Sequence, residues 1–124
     1  MSSYKILAID DLPETILILE HLLDHIQRDC TLHIANTGEE GLELANEVQP
    51  DLIFLDEESE DISGQAVLGA LQSLEHCKDT PVIFISGQPT EETPKSTPGF
   101  SPINYLVSPF NSEQFIEVLP KQLK

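Results

Sequence analysis

The sequence has few positive charges. Its 124 residues include 6 Lys and Arg against 22 Asp and Glu, which gives a formal net charge of −16. A surface this anionic repels the phosphate groups of nucleic acids and of anionic lipids, so we expect neither direct nucleic-acid binding nor membrane docking. Divalent cations and basic protein surfaces are the partners that such a field attracts.

Cysteines and long apolar runs are also scarce. Cys30 and Cys77 are too few for a disulfide framework and lack the Cys-x-x-Cys spacing of a redox or zinc motif. The apolar run at 16–23 is interrupted by polar residues, so we expect neither a signal peptide nor a membrane span. We therefore expect a soluble, cytoplasmic chain that forms a single domain over residues 1–124.

Short apolar runs alternate with amphipathic stretches along the whole chain. The runs predicted to be strands are 6–9, 31–35, 52–55, 82–85 and 105–107, with the second at a sheet edge. The stretches predicted to be helices are 13–27, 38–48, 63–74 and a last one that follows Asn111 and Ser112. Strands that are apolar on both faces and separated by helices predict a doubly wound α/β fold with a five-stranded parallel sheet.

Two local patterns predict where one helix begins and which face of another is buried. Thr37 and Glu40 have the spacing of a capping box, which predicts that a helix begins there. In the last helix, Phe115, Ile116 and Leu119 are predicted to face the core.

A proline-rich segment lies between the fourth and fifth predicted strands. Residues 88–102 contain four prolines at the place where the fold calls for a fourth helix. Proline inside a helix removes a backbone donor and clashes with the preceding turn. We therefore predict a degenerate fourth helix.

Polar residues follow the apolar runs where the predicted strands end. Asp10 and Asp11 follow the first run, Asp56 the third, Ser86 the fourth and Ser108 the fifth. Ligands of open α/β sheets bind beyond the carboxyl ends of the strands, so these side chains mark the candidate site. Three carboxylates at one edge repel one another unless a cation lies among them, and an oxygen-only ligand set suits Mg²⁺.

Several motifs together resemble the receiver domain of response regulators in two-component signalling. They are Ile9-Asp10-Asp11, the run 52–56 with Gly64 eight positions after its aspartate, Ile85-Ser86-Gly87, and 105–110. The resemblance covers essentially the whole chain. It implies a flavodoxin-like arrangement of five βα units and a signalling domain that is not an enzyme.

The resemblance assigns the acidic residues. Asp56 matches the phosphoacceptor, which takes a phosphoryl group from a histidine kinase or a phosphotransfer protein. Asp10 and Asp11 match the acidic pair that holds Mg²⁺ together with Asp56, and the backbone carbonyl of Glu58 is the implied further ligand.

The resemblance also implies which residues transmit the signal after phosphorylation. Ser86 matches the hydroxyl that bonds the phosphoryl group, and Tyr105 matches the aromatic switch position. The implied readers of the signal are a downstream protein partner and, as in many family members, a second copy of the domain.

Two departures from the family pattern bear on function. Ser108 stands where the family has a lysine that pairs with the phosphoryl oxygens, and a serine hydroxyl carries no charge. Ser59 and Glu60 stand where the family has a hydrophobic residue and a proline. Two hypotheses follow: a phosphoryl-accepting switch, or a pseudo-receiver that binds proteins without phosphorylation.

Other chemistries fit the sequence less well. Phosphatases of the haloacid-dehalogenase type need Asp-x-Asp after the first strand, and neither Asp10 nor Asp11 has an aspartate two positions later. A flavin phosphate would be repelled by the acidic turn after the first run. His21 and His25 have a spacing that could bind a transition metal, although a solvated helix face is the favoured interpretation.

Overall fold

The computed structural model describes residues 4–10, 13–25, 29–56, 64–75, 80–86, 103–107 and 111–118. Within these residues the elements in chain order are β1 (Tyr4–Ile9), α1 (Pro13–Asp24), β2 (Cys30–Ala35), α2 (Gly38–Val48), β3 (Leu52–Asp56), α3 (Gly64–Ser73), β4 (Val82–Ser86), β5 (Ile103–Val107) and α4 (Ser112–Val118). Strand bounds agree with the sequence-based prediction to within two residues. The predicted degenerate fourth helix falls at 88–102, outside the described residues, and stays a prediction.

All five strands join one parallel sheet in the order β2-β1-β3-β4-β5. The predicted doubly wound α/β fold is confirmed, as is the edge position of the second strand. The chain reverses its direction of progress across the sheet between β1 and β3, which makes this pair of strands the topological switch point.

Both faces of the sheet are covered by apolar side chains, because successive residues of a strand point to opposite faces. One face packs against α1 and α4, through Ile6, Ala8, Phe54, Ile83, Leu19, Leu23 and Phe115. The other packs against α2 and α3, through Leu7, Ile9, Ile53, Leu55, Phe84, Ala45, Val67 and Leu71. Two-sided burial explains why the strand sequences are continuously apolar rather than alternating.

Among the described side chains of helix α4, Phe115 packs in the core. Phe115 is buried, and its ring stacks on Phe54 with a centroid separation of 5.7 Å and an interplanar angle of 13°. The prediction that Ile116 also faces the core is wrong, because this side chain is 47% exposed. Adjacent helical residues are about 100° apart, so a short helix that points Phe115 inward turns its neighbour outward. Leu119 lies outside the described residues.

The starts of α2 and α4 are held by side-chain caps. Thr37 Oγ1 accepts a hydrogen bond from the Glu40 N–H at 3.0 Å, which confirms the predicted start of α2. The Glu40 carboxylate accepts from the Asn36 N–H at 3.5 Å, one residue before the cap that the standard box would use. At α4 a full reciprocal pair forms: Asn111 Oδ1 accepts from the Gln114 N–H at 2.8 Å, and Gln114 Oε1 accepts from the Asn111 N–H at 3.0 Å.

The described helices are short. None of them combines the length and the apolar character needed to cross a bilayer.

Candidate functional site

Two predicted site residues meet at the carboxyl edge of the sheet. Ile9 of β1 pairs in register with Leu55 of β3, so Asp10 and Asp56 follow at the same level on neighbouring strands. Neighbouring strands lie about 4.8 Å apart, which brings the two residues close to each other. The Asp10 N–H donates to the carbonyl of Ala35 at 2.9 Å, and this bond holds the end of β1 against β2.

Both aspartates are buried. Asp10 is 4% exposed and Asp56 is 9% exposed, among strands that are otherwise apolar. Burial of a carboxylate is costly unless hydrogen bonds or a cation compensate its charge, so carboxylates in such positions usually have a functional role. Two buried carboxylates on adjacent strands fit a hard divalent cation such as Mg²⁺, whose preferred ligands are oxygens.

The rest of the predicted metal set cannot be placed beside this pair. Asp11 and Glu58 lie outside the described residues. Within the described part of the chain, no group of three or more His, Cys, Asp or Glu side chains is arranged to hold a metal ion. The assignment of Asp10, Asp11, Asp56 and Glu58 as metal ligands therefore stays a prediction.

The residues predicted to relay the signal lie on the next strands, where the structure describes the backbone. Asp56 pairs with Ile85 of β4, so Ser86 is one position further along that strand. Tyr105 is the central residue of β5, the edge strand beyond β4. Ser108 lies outside the described residues. The topology thus places Asp56, Ser86 and Tyr105 on the consecutive strands β3, β4 and β5.

We call the carboxyl edge of the sheet at Asp10 and Asp56 the acidic edge. A close contact beneath it was not anticipated from the sequence. A Cβ atom added to Gly41 of α2 would lie 2.5 Å from Cδ1 and 2.6 Å from Cγ1 of Ile9. Ile9 is the last residue of β1 and directly precedes Asp10. The one sequence signal was a glycine inside a predicted helix, which often marks a close approach of another element.

A cavity of about 370 Å³ lies away from the acidic edge, between α1 and α4, and was also not anticipated. It is lined by His21, Leu22, His25, Ser112, Phe115 and Ile116. Both histidines are exposed, as the interpretation of a solvated helix face expects. Their proximity to α4 depends on packing between distant segments and has no sequence signature.

Curated proteins with related sequences include a response regulator and a histidine kinase. The chain is 28% identical over 119 residues to the probable C4-dicarboxylate response regulator DctR of Bacillus subtilis, covering 95% of this chain and 51% of that protein. It is 25% identical over 114 residues to the signal transduction histidine-protein kinase BarA of Escherichia coli, covering 92% of this chain and 12% of the kinase. The chain thus spans about half of the first relative's length and about an eighth of the second's.

Solved structures share the fold. The chemotaxis protein CheY4 of Vibrio cholerae, crystallised at low pH, superimposes with a TM-score of 0.84 at 23% identity, covering 99% of this chain and 100% of that one. The receiver domain of the sensor histidine kinase PA1611 of Pseudomonas aeruginosa has a TM-score of 0.80 at 16% identity, covering 94% of each chain. That second structure holds a magnesium ion in its active-site cleft.

The family assignment rests on the sequence model of the response regulator receiver domain, which matches residues 6–120. The described strand order and the solved structures with the same fold agree with it. The chain belongs to the response regulator receiver domain family of two-component signalling.

Proposed function

We propose that this domain accepts a phosphoryl group on Asp56 in a Mg²⁺-dependent reaction and transmits the change to a protein partner. The observation that carries the proposal is the placement of Asp56 at the carboxyl end of β3, buried and level with Asp10 of β1. The proposal treats residues 1–124 as one domain that acts in the cytoplasm and receives its phosphoryl group from a histidine kinase or a phosphotransfer protein.

The reaction is a phosphoryl transfer between the donor and a carboxylate. An Asp56 carboxylate oxygen bonds to phosphorus as the bond from phosphorus to the donor imidazole nitrogen breaks, which leaves an acyl phosphate and a neutral donor ring after protonation. Such transfers depend mainly on in-line positioning and on neutralisation of charge. Burial of Asp56 favours positioning, because a side chain surrounded by packed strands has few orientations available.

Mg²⁺ would supply positive charge at the acidic edge. Bound by Asp10, Asp11, Asp56 and the carbonyl of Glu58, it would neutralise the oxygens of the incoming phosphoryl group. The magnesium ion in the cleft of the PA1611 receiver domain supports this assignment, since that chain has the same fold. Without a cation, the adjacent carboxylates of Asp10 and Asp56 would repel a phosphoryl group.

Transmission would run across the sheet toward its β5 edge. Ser86 lies one position beyond the level of Asp56 on the neighbouring strand, and we expect its hydroxyl to bond a phosphoryl oxygen. Tyr105 lies on the strand beyond it, so a movement of Ser86 would reach the edge of the sheet through one further element. A downstream partner, or a second copy of the domain, would detect the change there.

A phosphorylation-independent interaction module is the second candidate. Ser108 removes the cation that the family uses to pair with phosphoryl oxygens, and Ser59 and Glu60 alter the loop after the acceptor. A domain with these changes could keep the fold and its binding surfaces while it loses the coupling between phosphorylation and conformation.

The chemistry is tested by intact-mass measurement after incubation with acetyl phosphate, with and without Mg²⁺. We expect one phosphoryl group to be added only with Mg²⁺, and none in Asp56→Asn. Asp24→Asn is the matched control, because it makes the same change at an exposed position of α1. The absence of any mass increase in the parent chain, or an increase that persists in Asp56→Asn, would contradict the proposal.

The coupling between phosphorylation and a conformational change is tested separately from the transfer reaction. Backbone amide spectra before and after phosphorylation should show shifts that extend from β3 into β4 and β5. If the domain is phosphorylated and the shifts stay next to Asp56, the interaction-module hypothesis is favoured. A partner that binds Asp56→Asn as tightly as it binds the phosphorylated chain would lead to the same conclusion.

A further inference from the structure

Two exposed imidazoles lie at the end of α1. His21 is in the last turn of the helix and His25 directly follows its final residue, Asp24, so the two side chains are four residues apart. Their ring centroids are 4.6 Å apart, and the ring planes are inclined by 59°. Both side chains line the cavity between α1 and α4.

The backbone at this helix end orients one of the rings. The His25 N–H donates to the carbonyl of Leu22 at 3.2 Å, so the helix tightens in its last turn. His25 Nδ1 lies 2.8 Å from the carbonyl oxygen of His21. A carbonyl oxygen only accepts, so Nδ1–H must be the donor, and the lone pair of the neutral His25 ring resides on Nε2. A backbone bond of this kind is the usual support of a metal-binding histidine.

We propose that His21 and His25 bind a divalent first-row transition-metal ion of the Ni²⁺ or Cu²⁺ class. A ligand nitrogen about 2.1 Å from a metal places the ring centroid about 3.2 Å from it, so two rings at right angles on one ion have centroids about 4.6 Å apart. The observed separation of 4.6 Å matches this adjacent arrangement. Ligands at right angles are typical of octahedral and tetragonal ions. Two imidazoles on a tetrahedral ion have ring centroids about 5.3 Å apart.

Charge and ligand type distinguish this site from the acidic edge. A net charge of −16 attracts any divalent cation to the surface, but imidazole nitrogens select transition metals over Mg²⁺. Among the described residues no third His, Cys, Asp or Glu completes the set. We assign the remaining coordination positions to water or to an external ligand, for which the cavity of about 370 Å³ has room.

The proposal is tested by calorimetric titration of the full chain with Ni²⁺ in excess Mg²⁺, so that the oxygen ligands of the acidic edge are already occupied. We expect one Ni²⁺ per chain, and His21→Gln and His25→Gln should each weaken binding about tenfold or more. His33→Gln is the matched control, because His33 lies in β2 and not in α1. Equal Ni²⁺ affinity in the parent and both α1 variants would overturn the proposal.

Paramagnetic broadening by Ni²⁺ gives a second measurement. Amide signals of 18–25 and 112–116 should broaden first, since these two segments contain the residues that line the cavity. Broadening confined to the surroundings of Asp10 and Asp56 would overturn the site. The outcome is independent of the proposed phosphorylation, because the His21→Gln and His25→Gln chains should still be phosphorylated on Asp56 at the parent rate if that proposal holds.

Discussion

Gly41 of α2 lies so close to the Ile9 side chain of β1 that an added Cβ atom would force one of the two to shift. A Cβ atom at position 41 would lie 2.5 Å from Ile9 Cδ1. Because Ile9 directly precedes Asp10, the packing of α2 on the sheet is linked mechanically to the acidic edge.

Gly41→Ala should therefore destabilise the domain. Insertion of a methyl group into a filled space usually costs about 1–3 kcal/mol in the free energy of unfolding, despite the better helix propensity of alanine. Urea denaturation measures the change. Gly69→Ala in α3 is the matched control: no heavy atom lies within 4 Å of its added Cβ, so we expect a gain of up to about 1 kcal/mol.

A second substitution, at Ile9, tests whether the contact with position 41 causes the loss of stability. Ile9→Ala removes Cδ1, Cγ1 and Cγ2, the three atoms that the new methyl group would approach most closely, so Gly41→Ala should cost less in that background than in the parent. Equal costs in both backgrounds, or a Gly41→Ala chain as stable as the parent, would show that the contact does not limit packing.

The cap of α4 should contribute measurably to stability. Asn111→Ala removes the acceptor of the Gln114 N–H and should lower the free energy of unfolding by about 1 kcal/mol. Asn111→Asp keeps an acceptor and should stay near the parent value. Thermal or urea unfolding distinguishes the two variants. Equal losses in both would mean that the side-chain amide of Asn111, and not its acceptor oxygen, is what matters.

The attachment of α4 should depend on Phe115 and not on its neighbour. Phe115→Ala removes a buried ring stacked on Phe54 and should cost about 3–5 kcal/mol. Ile116→Ala changes an exposed side chain in the same helix and should cost about 0.5 kcal/mol or less. Similar losses in the two variants by urea denaturation would contradict the core assignment.

Mg²⁺ should reverse a destabilising repulsion between Asp10 and Asp56. With the metal chelated, Asp10→Asn should raise the free energy of unfolding, since it removes one of two adjacent buried carboxylates. The stabilisation on addition of Mg²⁺ should be smaller in this variant than in the parent. Unfolding with EDTA and with Mg²⁺ tests both statements, and Glu14→Gln on the exposed first turn of α1 is the control. An unchanged Mg²⁺ effect would remove Asp10 from the metal set.

Ser108→Lys should strengthen the response to phosphorylation. The substitution restores a cation at the position where the family pairs one with the phosphoryl oxygens. We expect faster phosphorylation by acetyl phosphate and larger amide shifts in β4 and β5, with Ser112→Lys as a control that adds the same charge at an exposed position of α4. Equal effects of the two lysines, or no effect of either, would show that the absent lysine does not limit the response.

Local sequence determined the elements and the class of fold. Apolar runs, caps and helical periodicity act within a few residues, so the strand bounds and the start of α2 could be predicted from the chain alone. The alternation of strands and helices, together with the aspartates directly after two of the runs, also predicted which edge of the sheet carries the candidate site. The roles of Ser86, Tyr105 and Ser108 remain predictions that follow from the family.

Tertiary structure determined the relationships between residues that lie far apart in the chain. The register between β1 and β3 places Asp10 level with Asp56, and the approach of α2 to β1 places Gly41 close to the Ile9 side chain. The direction of α4 turns Ile116 toward the cavity that it shares with His21. Each relationship is set by the packing of elements far apart in the chain, and the spacing of residues within one element contains no information about that packing.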